Sequence, residues 1–373
     1  MKQPPAIRPE DYEYLWSDYE VNFIFTSCYL SPVFKRADIV LIYDWRQKEL
    51  KFFLSSMDQR RIASETAFFY QDQGSFDNWK FEINEEIVQG EKLVRKTKEE
   101  ALSLSPFSLE ELGSRFRERA HLFQTLVDHY FCTEFFAVNG AEQLVMSDEK
   151  RYRQLKQNLK DMGEIKLQAR GLLNQFYNFR TVFKPYADEM GNRLSRNDIP
   201  WLSVDEISGA IAGHTIPISK RGKEDWVLAK RLDWNLLKGK EAERLSHSFD
   251  QHFFMLKDTS IRGTVANKGA YKGTAKVLRT VFSDSVQKEV QKVKKGDVLV
   301  ASTTGPELMV ACQMAGAIVT DQGGLTSHAA IISRELNIPC IVGTKITTQV
   351  LRDGDLVEVD ADNGIVRLLQ KVV

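Results

Sequence analysis

The sequence predicts a multidomain α+β protein, with a largely helical N-terminal region that carries a small β-hairpin part and a compact C-terminal domain. Three observations point to this class. Residues 75–185 repeat apolar side chains at helical spacing. Residues 263–370 instead show short β-branched runs punctuated by glycine. The pattern changes over Lys257–Arg262. The expected divisions are therefore a mostly helical 1–256, a hinge linker at 257–262, and a C-terminal domain at 263–373.

Near the N-terminus, Tyr14–Phe34 is dense in aromatics and reads as apolar core. Ala37–Ser56 gives two β-rich runs about a polar turn at Trp45–Lys48, a hairpin, so β structure is expected at about 20–60. Ser108 and Glu111 have capping-box spacing. Leu112, Phe116, Ala120, Phe123, Val127 and Phe131 then form one helical stripe. Asp148–Phe183 reads as one or two helices interrupted near Gly163, and Pro185 is expected to end the last. Asn192–Pro200 is polar and reads as loop, and Ser203 with Glu206 repeats the capping spacing.

In the C-terminal domain, strands are expected at about 274–281, 297–302, 316–320, 339–342, 355–360 and 364–369. Helices are expected at 306–315 and 328–336. The most informative run is Thr320–Leu336, TDQGGLTSHAAIISREL. A β-branched strand leads into Gly323 and Gly324, then Thr326, Ser327 and His328, and an Ala/Ile-rich helix follows at once. An imidazole at a helix start lies beside outward-pointing N–H groups and the positive end of the dipole, which suits an anion. Thr326 and Ser327 are each placed to cap the helix and to donate a hydrogen bond to phosphate. Arg334 follows His328 by six residues, roughly 600° of helix or about 240° from it, so it is expected to face away and make a structural ion pair, with Glu335 or a neighbouring strand as its partner.

This stretch resembles the mobile phosphohistidine domain of the phosphoenolpyruvate-utilising enzymes, a family with phosphoenolpyruvate synthases, pyruvate phosphate dikinases and rifampin phosphotransferases. Their pattern GG-x-T-[SC]-H-A-A-I-x-x-R-E is met by Gly323, Gly324, Thr326, Ser327, His328, Ala329, Ala330, Ile331, Arg334 and Glu335. The following x-x-I-P-x-V-V-G is met by Ile338, Pro339, Val342 and Gly343, with Ile341 a conservative departure. Upstream, Gly263, Ala266, Gly269 and Gly273 match the opening G-x-x-A-x-x-G-x-x-x-G, and Thr304, Pro306 and Glu307 match T-x-P-[DE]. Asp353–Leu369 matches the closing hairpin. More loosely, Leu202–Ile207 resembles a phrase that precedes a basic-aromatic helix in the family, whose counterpart here is Lys220–Trp234. The resemblance implies a β/β/α swivelling domain in which His328 carries phosphate, Gly323, Gly324, Thr326 and Ser327 hold it, and Thr304 packs beside the histidine loop.

It also implies what the chain is expected to draw from elsewhere. The sequence has no GxxxxGK[ST] loop and no glycine-rich, lysine-bearing segment like the family's nucleotide-binding domain. Four residues follow Leu369, whereas a phosphoenolpyruvate-binding barrel needs roughly two hundred or more. The expectation is a phosphotransferase component: a separate ATP-grasp protein, holding ATP and Mg2+, phosphorylates His328, and a small-molecule acceptor at 1–256 receives the group. Two alternatives stand beside it. One is a carrier subunit of a split phosphoenolpyruvate synthase or pyruvate dikinase system; the other is a non-catalytic scaffold that binds an anion.

Composition narrows the remaining classes. Lysine plus arginine equals aspartate plus glutamate at 51 each, so nothing favours nucleic acid or an anionic membrane as partner. No apolar run approaches a membrane span, and the N-terminus lacks the apolar core of a signal peptide, which together predict a cytoplasmic protein. Cys28, Cys132, Cys312 and Cys340 are far apart and read as reduced thiols. His121, His129, His214, His247 and His252 make no metal-ligand pattern, and no metal site is expected. Arg115, Arg117 and Arg119 read as a solvated face. Phe68–Tyr70 and the aromatics of Phe123–Phe136 read as helical core sooner than as an acceptor pocket.

Overall fold

The computed structural model describes residues 7–19, 23, 37–177, 179–230, 234–255, 259–279, 286–325 and 327–372. The N-terminal part begins with strand β1 (Tyr12–Tyr19), then β2 (Ile39–Asp44) and β3 (Glu49–Ser55). Beyond them run helices α1 (Ser56–Gln71), α2 (Gln73–Glu100), α3 (Leu109–Phe131), α4 (Phe135–Ser147), α5 (Arg153–Tyr177), α6 (Phe179–Val182), α7 (Lys184–Leu194) and α8 (Val204–Ile211). The chain then returns to the sheet as β4 (Trp226–Lys230) and β5 (Trp234–Lys238) and leaves through α9 (Gly239–Phe253). The sheet order is β1-β3-β2-β4-β5, antiparallel throughout.

The expected hairpin is β2–β3, with Trp45–Lys48 as its turn. Both expected capping boxes form, Ser108 with Glu111 at α3 and Ser203 with Glu206 at α8. The apolar stripe of α3 is buried at every position, and Phe123 stacks on Phe176 of α5 at 5.6 Å between centroids.

Several expectations give way to tertiary context. Trp226–Lys230, inside the stretch taken as a basic-aromatic helix, is a strand buried along its whole length because it lies between β2 and β5. The β structure of this part therefore begins at Tyr12 and resumes at Trp226, beyond the range of 20–60. Helix α5 runs unbroken through Gly163, where an added Cβ would meet nothing, so the glycine costs only propensity. The helix before Pro185 ends at Val182, as expected, but Pro185 also opens α7, where its missing N–H costs no hydrogen bond, and α7 extends into the expected loop as far as Leu194 before Ser195 caps it in the left-handed region. Arg119 is fully buried rather than solvated. Its Nε donates to Thr97 Oγ1 at 2.9 Å, and its Nη2 to Glu100 at 3.0 Å and the Tyr186 hydroxyl at 2.6 Å, tying α2, α3 and α7. Phe68 is exposed, whereas Tyr70 and Phe123 sit in the core.

The C-terminal part holds strands β6 (Ser260–Arg262), β7 (Thr264–Asn267), β8 (Ala270–Leu278), β9 (Val298–Ala301), β10 (Ala317–Thr320), β11 (Cys340–Val342), β12 (Leu356–Asp360) and β13 (Ile365–Gln370). Its helices are α10 (Val286–Val290), α11 (Met309–Met314), α12 (His328–Glu335) and α13 (Thr347–Val350). Residues 260–262, expected in the linker, pair with β13 because Ile261 is buried against that core; 257 and 258 lie outside the described residues. The order is β6-β13-β12-β8-β9-β10-β11-β7.

Strand β8 is the corner of this sheet. Ala270–Thr274 pairs with β12, and Ala275–Leu278 pairs in parallel with β9. Alternation then sorts the side chains of the parallel strands. Leu299, Ala301, Ile318, Cys340 and Val342 pack with α11 and α12, while Val298, Val300, Ala317, Val319 and Ile341 pack with Val357, Val359 and Val366. The result is the expected β/β/α layering. No helix among the described residues is long and apolar enough to cross a membrane.

Candidate functional site

The site forms at the C-terminal ends of the parallel strands β9 and β10, the place where open α/β sheets leave room for a ligand. After β10 the chain turns at Gly323, whose φ of +113° is a left-handed conformation that glycine adopts without strain. A Cβ there would also lie 2.9 Å from Ser327. Gly324 has no positive φ, and nothing lies within 4 Å of where its Cβ would be. Only the first glycine is thus required by local geometry.

Ser327 is the N-cap of α12, with its Oγ accepting from the Ala330 N–H at 3.4 Å. His328 is the first residue of that helix and is half-buried. The Nδ1 of His328 lies 3.1 Å from Thr304 Oγ1, which arrives from the loop after β9. Thr304 itself is buried, so this contact fixes the ring from below. Thr326, expected at the site, lies outside the described residues. Leu325, Ile331 and Val310, in the loop, on α12 and on α11, are each exposed.

Arg334 joins the site by a different route from the expected ion pair. Its Nε donates to the Ala266 carbonyl of β7 at 3.1 Å and its Nη2 to the Leu325 carbonyl at 2.8 Å. It therefore braces the histidine loop against the sheet and does not aim at the ring, in keeping with the rotation argued from sequence.

Two features were missed, Asp321 and Asn267, and the packing role of Gly343 was not foreseen. Asp321, at the end of β10, is buried and accepts from Thr344 Oγ1 at 2.9 Å, the Thr347 N–H at 2.6 Å, and the N–H and hydroxyl of Thr348. Burial pushes its carboxyl up to about 6, against the pull of the Thr348 and Thr344 hydroxyls and the Thr348 and Thr347 amides. Gly343, with φ of +71°, brings a second loop so close that its Cβ would lie 3.3 Å from the Gly323 carbonyl. Asn267 Nδ2 donates to the Ser333 and Ile338 carbonyls at 3.2 and 2.8 Å and secures the end of α12. Asp321 had one sequence signal, an acid directly after an apolar strand; Gly343 stood in the motif, but its packing role, like that of Asn267, comes only from a distant partner.

Cys312 and Cys340 are buried free thiols, pushed up to about 12 and about 11 chiefly by desolvation. Cys28 lies outside the described residues. Among the described residues no group of three or more His, Cys, Asp or Glu is arranged to hold a metal. The helical part offers a groove of about 740 Å3 between α2 and α3, lined by residues that include Phe81, Glu86, Leu93, His121 and His129.

Residues 293–364 match the family described as PEP-utilising enzyme, mobile domain. A probable phosphoenolpyruvate synthase of Archaeoglobus fulgidus is 49% identical over 106 residues, 28% of this chain and 13% of that protein. Its counterpart in Methanothermobacter thermautotrophicus is 30% identical over 187 residues, 50% of this chain and 26% of that protein. The chain thus spans about a quarter or less of the length of these relatives. A solution structure of an Enzyme I protein, at 18% identity and a TM-score of 0.23, covers 77% of this chain and 79% of its own. Over residues 293–364 the chain is thus similar to the mobile domain of PEP-utilising enzymes, and its matched stretch is similar to part of phosphoenolpyruvate synthases.

Proposed function

We propose that this chain is a phosphotransferase component that carries a phosphoryl group on His328. The carrying observation is the Thr304–His328 contact at 3.1 Å, set at the start of α12 inside a PEP-utilising mobile domain. With Nδ1 engaged by Thr304, Nε2 is the nitrogen that attacks. Its lone pair forms the P–N bond as the P–O bond of the donor breaks, and the nucleotide leaves with the electron pair. A neutral imidazole does this without first losing a proton, and the phosphoramidate formed is reactive enough to pass the group on. In the second step an acceptor oxygen attacks phosphorus, the P–N bond breaks, and the ring nitrogen recovers its lone pair.

The donor in this reading is ATP with Mg2+ on a separate ATP-grasp partner: attack at the β-phosphorus expels AMP and leaves a pyrophosphoryl group on His328, and water then displaces the γ-phosphate as inorganic phosphate, so that the β-phosphoryl group stays on the ring, as in the family. In this reading the N–H groups of the first turn of α12 and the Ser327 hydroxyl stabilise the phosphate, which the position of Ser327 as N-cap of α12 supports. The acceptor is a small molecule bound at the helical part, where the groove between α2 and α3 is the candidate. Splitting the transfer lets each step take place in its own positioned site.

A second reading has pyruvate or another keto acid, bound on another protein, as acceptor; the phosphoenolpyruvate synthases among the relatives favour it. Labelled ATP, mixed with the chain and candidate partner proteins, should give acid-labile, base-stable label on His328. Absence of label with every partner would leave the anion-binding scaffold as the better description. Release of label to pyruvate, but to no acceptor bound at the groove, would select the second reading.

A further inference from the structure

The histidine domain meets the five-stranded sheet through a small patch that the transfer chemistry does not use. Gln349 of α13 donates from Nε2 to Glu49 Oε1 of β3 at 2.6 Å and to Ser17 Oγ of β1 at 3.3 Å. Glu49 is only 1% exposed, so this carboxylate is covered where the two parts meet. Arg279, just past β8, donates to Gln47 Oε1 in the β2–β3 turn at 3.3 Å. Ile346, just before α13, packs both on the core of its own domain and on the cluster of Tyr12, Tyr14 and Phe53. Between the parts runs a narrow crevice, with Tyr14 and Ser17 on one wall and Asp321, Gln322 and Lys345 on the other.

Among the described residues the interface consists of Ile346 and a few side-chain hydrogen bonds, and a contact of that kind belongs to the class that opens and closes. Among the described residues, the apolar clusters of the two parts are otherwise distinct, with Ile346 the side chain common to both. The same segment is tied to the histidine loop. Asp321 accepts from Thr344, Thr347 and Thr348, and Gln322 N–H donates to the Ser302 carbonyl at 2.8 Å, so the crevice wall and the base of the loop are one piece.

We propose that residues 344–350 are an intrachain docking key, which seats the histidine domain reversibly on the β1–β3 side of the five-stranded sheet with Gln349–Glu49 as its polar lock. The occupant of that surface is this chain's own segment. Docked, the chain holds its carrier domain in one station, and the lock opens before His328 is presented elsewhere. That use rests on the carrier reading; the contact itself does not.

The test uses the full chain without nucleotide. Wild type, Gln349→Ala/Ile346→Ser and Glu49→Gln are compared by small-angle scattering and by hydrogen exchange over residues 12–19 and 346–351. The expected result is a compact wild type, with a larger radius of gyration and roughly tenfold faster exchange in both segments for the double variant, while exchange in α3 and β10 stays as in wild type. Glu49→Gln should move the same readouts in the same direction by less. Unchanged scattering and exchange in both variants overturns the proposal, as does a wild type that is already extended. Loss of protection throughout α3 and β10 also overturns it, since the segment would then be core. Absence of label on His328 with any partner removes the carrier reading and leaves the docking intact; unchanged exchange removes the docking and leaves the carrier.

Discussion

At the scale of single residues, chemistry and scaffolding are separable around His328. His328 is half-buried and its ring contacts the Thr304 hydroxyl among the described residues, so His328→Ala should abolish label while shifting the melting temperature little. A large loss of stability in a calorimeter would mark the ring as structural. Thr304→Val keeps the volume of Thr304 but removes the group that holds Nδ1. Transfer from the partner should slow on the order of 10–100-fold, with Thr304→Ser restoring most of it. Equal loss in both variants would mean that packing, not the hydroxyl, matters. Asp321 gives a pH signature. Its folded value is raised to about 6 from 3.8, so the folded chain holds a proton that the unfolded chain releases between these values. Its contribution to stability therefore falls as pH rises through that window and levels off above it, by on the order of 2–3 kcal/mol. Asp321→Asn should flatten this part of the pH dependence of stability relative to wild type; parallel curves would contradict the assignment.

At the scale of elements, the helical part is held by caps, one apolar stripe and a cross-helix clamp. Ser108 and Ser203 each satisfy an otherwise unpaired N–H at a helix start, so replacing either with alanine should cost about 1 kcal/mol by denaturant titration. His129 of α3 stands between Glu86 and Glu82 of α2, at 2.9 and 3.2 Å. The Glu86 hydrogen bond leads in raising its pKa above 6.5, with burial opposing and Glu82 adding. The clamp is fully present below 6.5 and is lost as pH climbs through the raised folded value. His129→Gln should be destabilising at pH 6 and should converge toward wild type at alkaline pH. A constant difference across that range would show that packing alone is at work.

At the scale of the whole molecule, two sheets with separate cores meet at Ile346 and the Gln349–Glu49 contact. Calorimetry should therefore resolve two transitions, and Gln349→Ala/Ile346→Ser should draw them further apart; one indivisible transition in every variant would contradict separate cores. The sequence by itself determined what depends on near neighbours. The capping boxes, the stripe from Leu112 to Phe131, the β2–β3 hairpin and the turn into His328 all rest on residues a few positions apart, and each is where the sequence placed it. Tertiary structure alone decided the rest. Trp226–Lys230 became a strand because β2 and β5 flank it, Arg119 became buried because Glu100 and Tyr186 await it, and Arg334 found carbonyls on β7 and the loop. Asp321 acquired its role from Thr344, Thr347 and Thr348, more than twenty residues along the chain. Local patterns fix backbone preference and hydrophobic face, whereas the partner of a buried polar group is set by whichever segment folding brings against it.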